Sequence, residues 1–149
     1  MKDLLDLMKA RYSERKFDFQ KKIEEQKLSK LLEAGRLAPT ASNRQAFKMY
    51  VTKGEKGAKV MSHFNAPVHI ILTGIERDAW HRKQDSFNSA ALDLGIVSTH
   101  IVLEAEYLGL KTCMICAYDL DKIINKLDLP KEENPMIAIA VGYPTADSG

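Results

Sequence analysis

From Ser86 to Leu108 the chain reads as a helix with apolar side chains on almost every face: Ala90, Ala91, Leu92, Leu94, Ile96, Val97, Ile101, Val102, Leu103, Ala105 and Leu108. Such a helix needs cover on all sides, which predicts that it lies buried at the centre of the fold. Its length approaches that of a membrane span, yet Asp93, His100, Glu104 and Glu106 interrupt it, and carboxylates are costly at bilayer depth. A membrane-spanning reading is rejected.

The other segments are short. Asp3 to Ala10 places Leu4, Leu5, Leu7 and Met8 on one helical stripe, which breaks at the basic, extended segment Arg11 to Phe17. Ser29 to Leu37 predicts a second helix that stops by Ala38, because Pro39 disfavours helical geometry before it. Strands are expected at Phe47–Thr52, Val68–Thr73, Thr112–Ala117 and Met136–Val141, and short helices at Gly57–Phe64 and Asp119–Leu127. Gly109 caps the long helix. Helices mixed irregularly with strands predict an α+β sandwich, and 149 residues without repeat or linker predict one domain, residues 1–149. Four short strands and four small helices scarcely cover the long helix, so a partner subunit is expected against it.

Charge and cysteine content exclude several classes. A formal net charge of +2 argues against a general nucleic-acid or acidic-lipid surface, so functional positive charge must be local. Met1-Lys2-Asp3-Leu4-Leu5-Asp6 carries acids where a secretory signal needs a basic start, and a cytoplasmic protein is expected. Cys113 and Cys116 have the spacing of a dithiol, but such sites put the first thiol at a helix N-terminus. Here both fall in a predicted strand and point to opposite faces, so core filling accounts for them. The histidines His63, His69, His81 and His100 pair with no carboxylate at metal-ligand spacing, and no metal is expected. No glycine-rich dinucleotide motif or P-loop is present.

Two segments carry chemistry. Arg11, Ser13 and Arg15 recur at every second position, so in an extended arm all three project to one side and offer two guanidinium forks and a hydroxyl, the donor set a phosphate monoester takes. Pro39-Thr40-Ala41-Ser42-Asn43-Arg44-Gln45 gathers hydroxyls, amides and a guanidinium in a turn that can hydrogen-bond a polar heterocycle. Glu76 to Lys83, with the one Trp at position 80, is a candidate pocket rim or, equally, a solvated loop with one anchoring aromatic.

Taken together, Arg11 to Phe17 and Glu33 to Gln45 resemble the opening pattern of the nitroreductase family, R-x-S-x-R followed by A-P-S/T-x-x-N-x-Q. The resemblance continues through Asp93-Leu94-Gly95-Ile96, Leu103-Glu104-Ala105, Gly109 to Cys113, the Asp119 helix and Gly142-Tyr143-Pro144. It implies an α+β nitroreductase-like sandwich, with a mostly antiparallel sheet of four strands and the long helix at a homodimer interface. It also implies an FMN-dependent oxidoreductase that uses NADH or NADPH to reduce nitroaromatics, quinones or other flat acceptors. The alternative is a flavin-binding protein without nicotinamide turnover.

Carried over by position, Arg11, Tyr12, Ser13 and Arg15 would hold the phosphate and polar edge of FMN. Pro39, Thr40, Ala41, Ser42 and Asn43 would approach the ring from the partner subunit with Gln45 nearby, and Cys113, Met114 and Ile115 would present backbone groups to it. No side chain is expected to act as a catalytic acid or base. Two departures stand out: Ala46 replaces a usual proline, and only Thr145 to Gly149 follow Gly142-Tyr143-Pro144, where family members commonly add another basic phosphate contact. One charged hydrogen bond fewer is expected to weaken FMN binding roughly tenfold to a hundredfold.

Overall fold

The computed structural model describes residues 3–148. Asp3 caps helix α1 (Leu4–Ala10), its carboxylate accepting the Asp6 N–H at 2.8 Å. Helix α2 (Glu25–Leu37) begins one turn before the expected Ser29. The reason is tertiary: the Glu24 carboxylate accepts the Tyr143 hydroxyl at 2.7 Å and pairs with Lys27 at 3.1 Å, which anchors that first turn. The helix stops at Ala38 in extended backbone, as the following proline requires.

Strands β1 (Phe47–Lys53), β2 (Val68–Gly74), β3 (Lys111–Ile115) and β4 (Asn134–Gly142) form one sheet in the order β1-β2-β4-β3, antiparallel at every pairing. The expected α+β architecture and four strands are thus present. All seven residues of β2 are buried, as in a strand covered on both faces. Helix α4 (Ala90–Tyr107) and α2 pack over one face, closing Leu31, Val97 and Ile101 onto Ile70, Leu72 and Ile139. The other face sets Ile71, Ala138 and Ala140 against Phe17 and helix α5 (Leu120–Leu127) through Ile123. Each fully buried Leu or Ile contributes about 1.5–3 kcal/mol.

Three local expectations change. Between β1 and β2 the helix is α3 (Gly54–Ala58), and a separate turn follows at His63–Asn65, because Phe64 and Asn65 take left-handed φ values of 57° and 60° that no α-helix accommodates. The long helix starts at Ala90 rather than Ser86, since Ser86 is left-handed and His81 bridges Asn88 across the preceding loop. It is also covered on one side only: Leu94, Val97, Ile101, Val102 and Ala105 are buried, whereas Leu92 is 56% and Tyr107 50% exposed. A Cβ built on Gly95 meets nothing within 4 Å.

A polar network secures the start of β4. Glu133, buried beside the sheet, accepts the Tyr50 hydroxyl at 2.5 Å and the Thr73 hydroxyl at 3.0 Å, with the Lys48 ammonium at 3.3 Å. Burial pushes its carboxyl pKa up, but the three donors together outweigh burial and leave it below the usual range. Burial and the neighbouring carboxylate push Tyr50 to about 12. A carboxyl depressed in the folded state stabilises the protein above its unfolded pKa, and that contribution is lost as pH falls through the folded value. Glu133→Ala should therefore destabilise by roughly 2–4 kcal/mol in neutral urea melts, and the deficit should shrink on acidification below pH ~4.5. A deficit that is constant down to pH ~3 contradicts this account of the network.

Candidate functional site

The arm after α1 is pinned to the far edge of the sheet. Ser13 bridges Thr112 in parallel register, the Glu14 N–H donates to the Thr112 carbonyl at 2.9 Å, and Phe17 bridges Pro144. Phe17 is 1% exposed and fastens the arm to the core. Arg11, Ser13 and Arg15 gather around Cys113: burial pushes that thiol pKa up, while Arg15, a Ser13 hydrogen bond and Arg11 pull it back. The Arg15 guanidinium sits 5.9 Å from the Phe64 ring centre. Among the described residues neither Arg11 nor Arg15 forms an ion pair, so both charges are available.

The carboxylate nearest in sequence is tied up elsewhere. Glu14 is buried and accepts the Tyr12 hydroxyl at 3.0 Å, the N–H groups of Arg15 and Lys16 at 3.0 and 3.1 Å, and the Ser148 hydroxyl at 2.5 Å. Burial raises its pKa, but these donors prevail and hold it below the usual range. The hydrogen bond to Glu14 in turn raises the Tyr12 phenol, and the Lys111 ammonium lies 4.6 Å from the centre of its ring. Tyr12 thus braces the arm through Glu14.

On β3, Cys113 and Ile115 are buried and Met114 is 39% exposed. Since Thr112 turns its carbonyl to the arm, the period of two directs the Met114 backbone to the same edge, which among the described residues is bridged at Thr112 alone. Cys116 follows the end of the strand and is exposed, so core filling holds for Cys113 alone. His69 is buried, and no group of three or more candidate metal ligands occurs among the described residues.

The Pro39 to Gln45 turn contains a short helical turn at Ala41–Asn43 and three non-glycine residues in left-handed backbone: Ser42 at φ 52°, Asn43 at 54° and Gln45 at 51°. Such conformations cost about 1–3 kcal/mol each and persist where the surroundings hold them. The holding bonds are visible. Thr40 Oγ1 accepts the Gln45 N–H at 3.0 Å, and Asn43 Oδ1 accepts the Gln45 amide at 2.7 Å. Asp93, in the first turn of α4, accepts the Ala41 N–H at 2.9 Å. From the sequence Asp93 interrupts a membrane-length apolar run and opens the Asp93-Leu94-Gly95-Ile96 segment of the resemblance, and neither reading predicts its bond to Ala41; an acid in the first turn of a helix is the one local signal.

The loop before α4 holds Trp80 half-buried. The Trp80 carbonyl accepts the Ser89 N–H at 2.8 Å, and the exposed aromatic is Phe87, 5.1 Å from the Arg82 guanidinium, which Asp85 also grips at 2.6 and 2.9 Å.

One chain keeps the two chemical segments apart. The arm lies beside β3 at Thr112, which is level with Val141, Val68 and Lys53, whereas the turn leads into Phe47 at the far end of β1. They occupy opposite corners of the sheet, roughly 19 Å apart across the strands and about 20 Å along them.

The chain thus combines an antiparallel α+β sheet, a cationic arm added to one edge and a stiffened polar turn at the opposite corner. The chain belongs to the Nitroreductase family, whose profile matches residues 8–64 and 59–143. A nitroreductase family protein of Clostridium difficile 630 is 31% identical, with all of this chain and 88% of that one covered at a TM-score of 0.92. An FMN-dependent nitroreductase of Clostridium difficile R20291 is 25% identical, with 96% and 88% covered at 0.80. A curated NADPH-dependent oxidoreductase of Staphylococcus haemolyticus is 27% identical over 95% of this chain, which spans 65% of that protein's length. Among the described residues no helix is long and apolar enough to cross a membrane.

Proposed function

We propose that residues 1–149 form an FMN-binding domain of an oxidoreductase that takes electrons from NADH or NADPH and delivers them to flat acceptors such as nitroaromatics and quinones. The observation that carries this reading is the pair of guanidinium groups, without ion pairs among the described residues, flanking the Ser13 hydroxyl on one side of a pinned arm, beside the edge of β3. This donor set fits a phosphate monoester, and the Met114 backbone beyond it offers one donor and one acceptor to a planar heterocycle. Bound FMN supplies the two-electron chemistry, hydride acceptance from nicotinamide and delivery to the acceptor.

The chain's own work is binding and orientation. Arg11, Ser13 and Arg15 hold the phosphate, Glu14 shapes the arm so that they face one way, and β3 lies against the ring. The turn from Pro39 to Asn43, with Gln45, reaches the ring from a second copy, because within one chain it lies at the wrong corner. The exposed stripe of α4, including Leu92 and Gly95, is the surface on which that copy seats.

The visible spectrum of the purified protein with added FMN tests the reading. A protein-perturbed flavin spectrum that bleaches with NADH or NADPH without oxygen, and recovers with a quinone, is the expected result. No binding at excess FMN removes the proposal.

A further inference from the structure

We propose that Asp93 is a positioning residue for the flavin ring, acting through the Pro39 to Gln45 turn. The inference rests on the FMN reading above. Asp93 is 4% exposed, and both its oxygens are used: Oδ1 accepts the Ala41 N–H at 2.9 Å and Oδ2 accepts the Ser89 hydroxyl at 2.9 Å. Among the described residues no cation pairs with it. Its charge is instead met by two hydrogen-bond donors and by its place in the first turn of an 18-residue helix.

Two features distinguish this from ordinary helix capping. Ser89 stands at the N-cap of α4, where its hydroxyl would be expected to accept a backbone N–H of the helix, yet it makes no such bond and donates to Asp93. The Asn88 side chain instead accepts the Ala90 N–H at 2.9 Å, which leaves the Ser89 hydroxyl to orient the carboxylate. The bond from Asp93 also crosses 52 residues of sequence and lands on Ala41, directly before Ser42 and Asn43 in left-handed backbone. Thr40 and Asn43 brace the far side of the turn through Gln45. Asp93 is therefore the tie between the turn's conformation and the body of the fold, and it sets where the turn's polar groups meet the ring.

The experiment compares FMN and riboflavin titrations of Asp93→Ala, Asp93→Asn and Arg11→Ala/Arg15→Ala in the full chain. Because the turn addresses the ring and the arm addresses the phosphate, Asp93→Ala should weaken both ligands about tenfold and leave the preference for FMN over riboflavin unchanged. The arm variant should instead erase that preference. Asp93→Asn keeps an acceptor for Ala41 and a partner for Ser89, and should stay within about threefold of wild type.

Ala41→Pro deletes the donated N–H without touching the acid, at a position preceded by extended Thr40, where proline is tolerated, and should reproduce Asp93→Ala if that variant does not fold. Wild-type affinity and an unshifted flavin spectrum in Asp93→Ala, or in Ala41→Pro, overturn the inference while the FMN reading stands. Failure of the wild-type chain to bind FMN overturns both.

Discussion

Alanine at both Arg11 and Arg15 is expected to weaken FMN binding by about two to four orders of magnitude. Each guanidinium to phosphate bond is charge-assisted and worth about 1.5–3 kcal/mol, and roughly 1.4 kcal/mol corresponds to a factor of ten. The fold should hardly notice. Neither side chain forms an ion pair among the described residues, and the arm is fastened by Phe17, the Thr112 carbonyl and Glu14, all left in place. Unfolding midpoints should therefore stay within about 0.5 kcal/mol of wild type, as for other exposed substitutions. Riboflavin, which lacks the phosphate, should bind the variant and the parent alike. Equal FMN affinity in the double variant removes the phosphate assignment, whatever the turnover.

The second large effect concerns the α4 surface. Gly95→Arg should leave a folded single chain and abolish both dimer and flavin site. A Cβ at Gly95 meets nothing within 4 Å, so the new side chain fits the isolated subunit and removes a helix-interior glycine, a gain of about 1 kcal/mol. In the proposed dimer, where a second copy seats on the same stripe, the new side chain should clash. Light scattering should report half the parent mass, and titration should report no FMN site, because arm and turn then have no means of meeting. A dimeric variant, or a monomer that binds FMN normally, contradicts the composite site.

Mixing gives the same test without breaking the interface. Arg11→Ala/Arg15→Ala chains and chains with a ruined turn, such as Asn43→Val at φ 54°, are each expected to be silent. Co-refolded in equal amounts, half of the dimers carry one of each. Each such dimer has one site built from an intact arm and an intact turn, so about a quarter of all sites should return. No recovery above the separate chains points to a site made within one chain.

Much of this molecule can be read without coordinates. The alternation of Arg11, Ser13 and Arg15 needs only an extended backbone to put three donors on one side, and the pattern from Glu33 to Gln45 carries the family resemblance through local turn chemistry. Strand positions were legible because Val68 to Thr73 and Met136 to Val141 are apolar runs bounded by breakers. Boundaries were less so. Helix α2 starts early because of Tyr143, more than a hundred residues away, and the Ser86 to Ser89 segment is withheld from α4 by a bridge to His81. Neither effect has a local signal.

Composition and period decided the α+β class of fold, the cationic arm and the excess of apolar surface on the long helix, because each follows from patterns among near neighbours in sequence; the antiparallel sheet was implied by the family resemblance. Only the tertiary structure decided which face of α4 stays open, that Glu133 is held by donors from distant elements and Glu14 reaches Ser148, and that Asp93 grips Ala41. It alone set the arm and the turn at opposite corners, since strand order and register are relations between segments far apart in the chain, and no period within a segment records them.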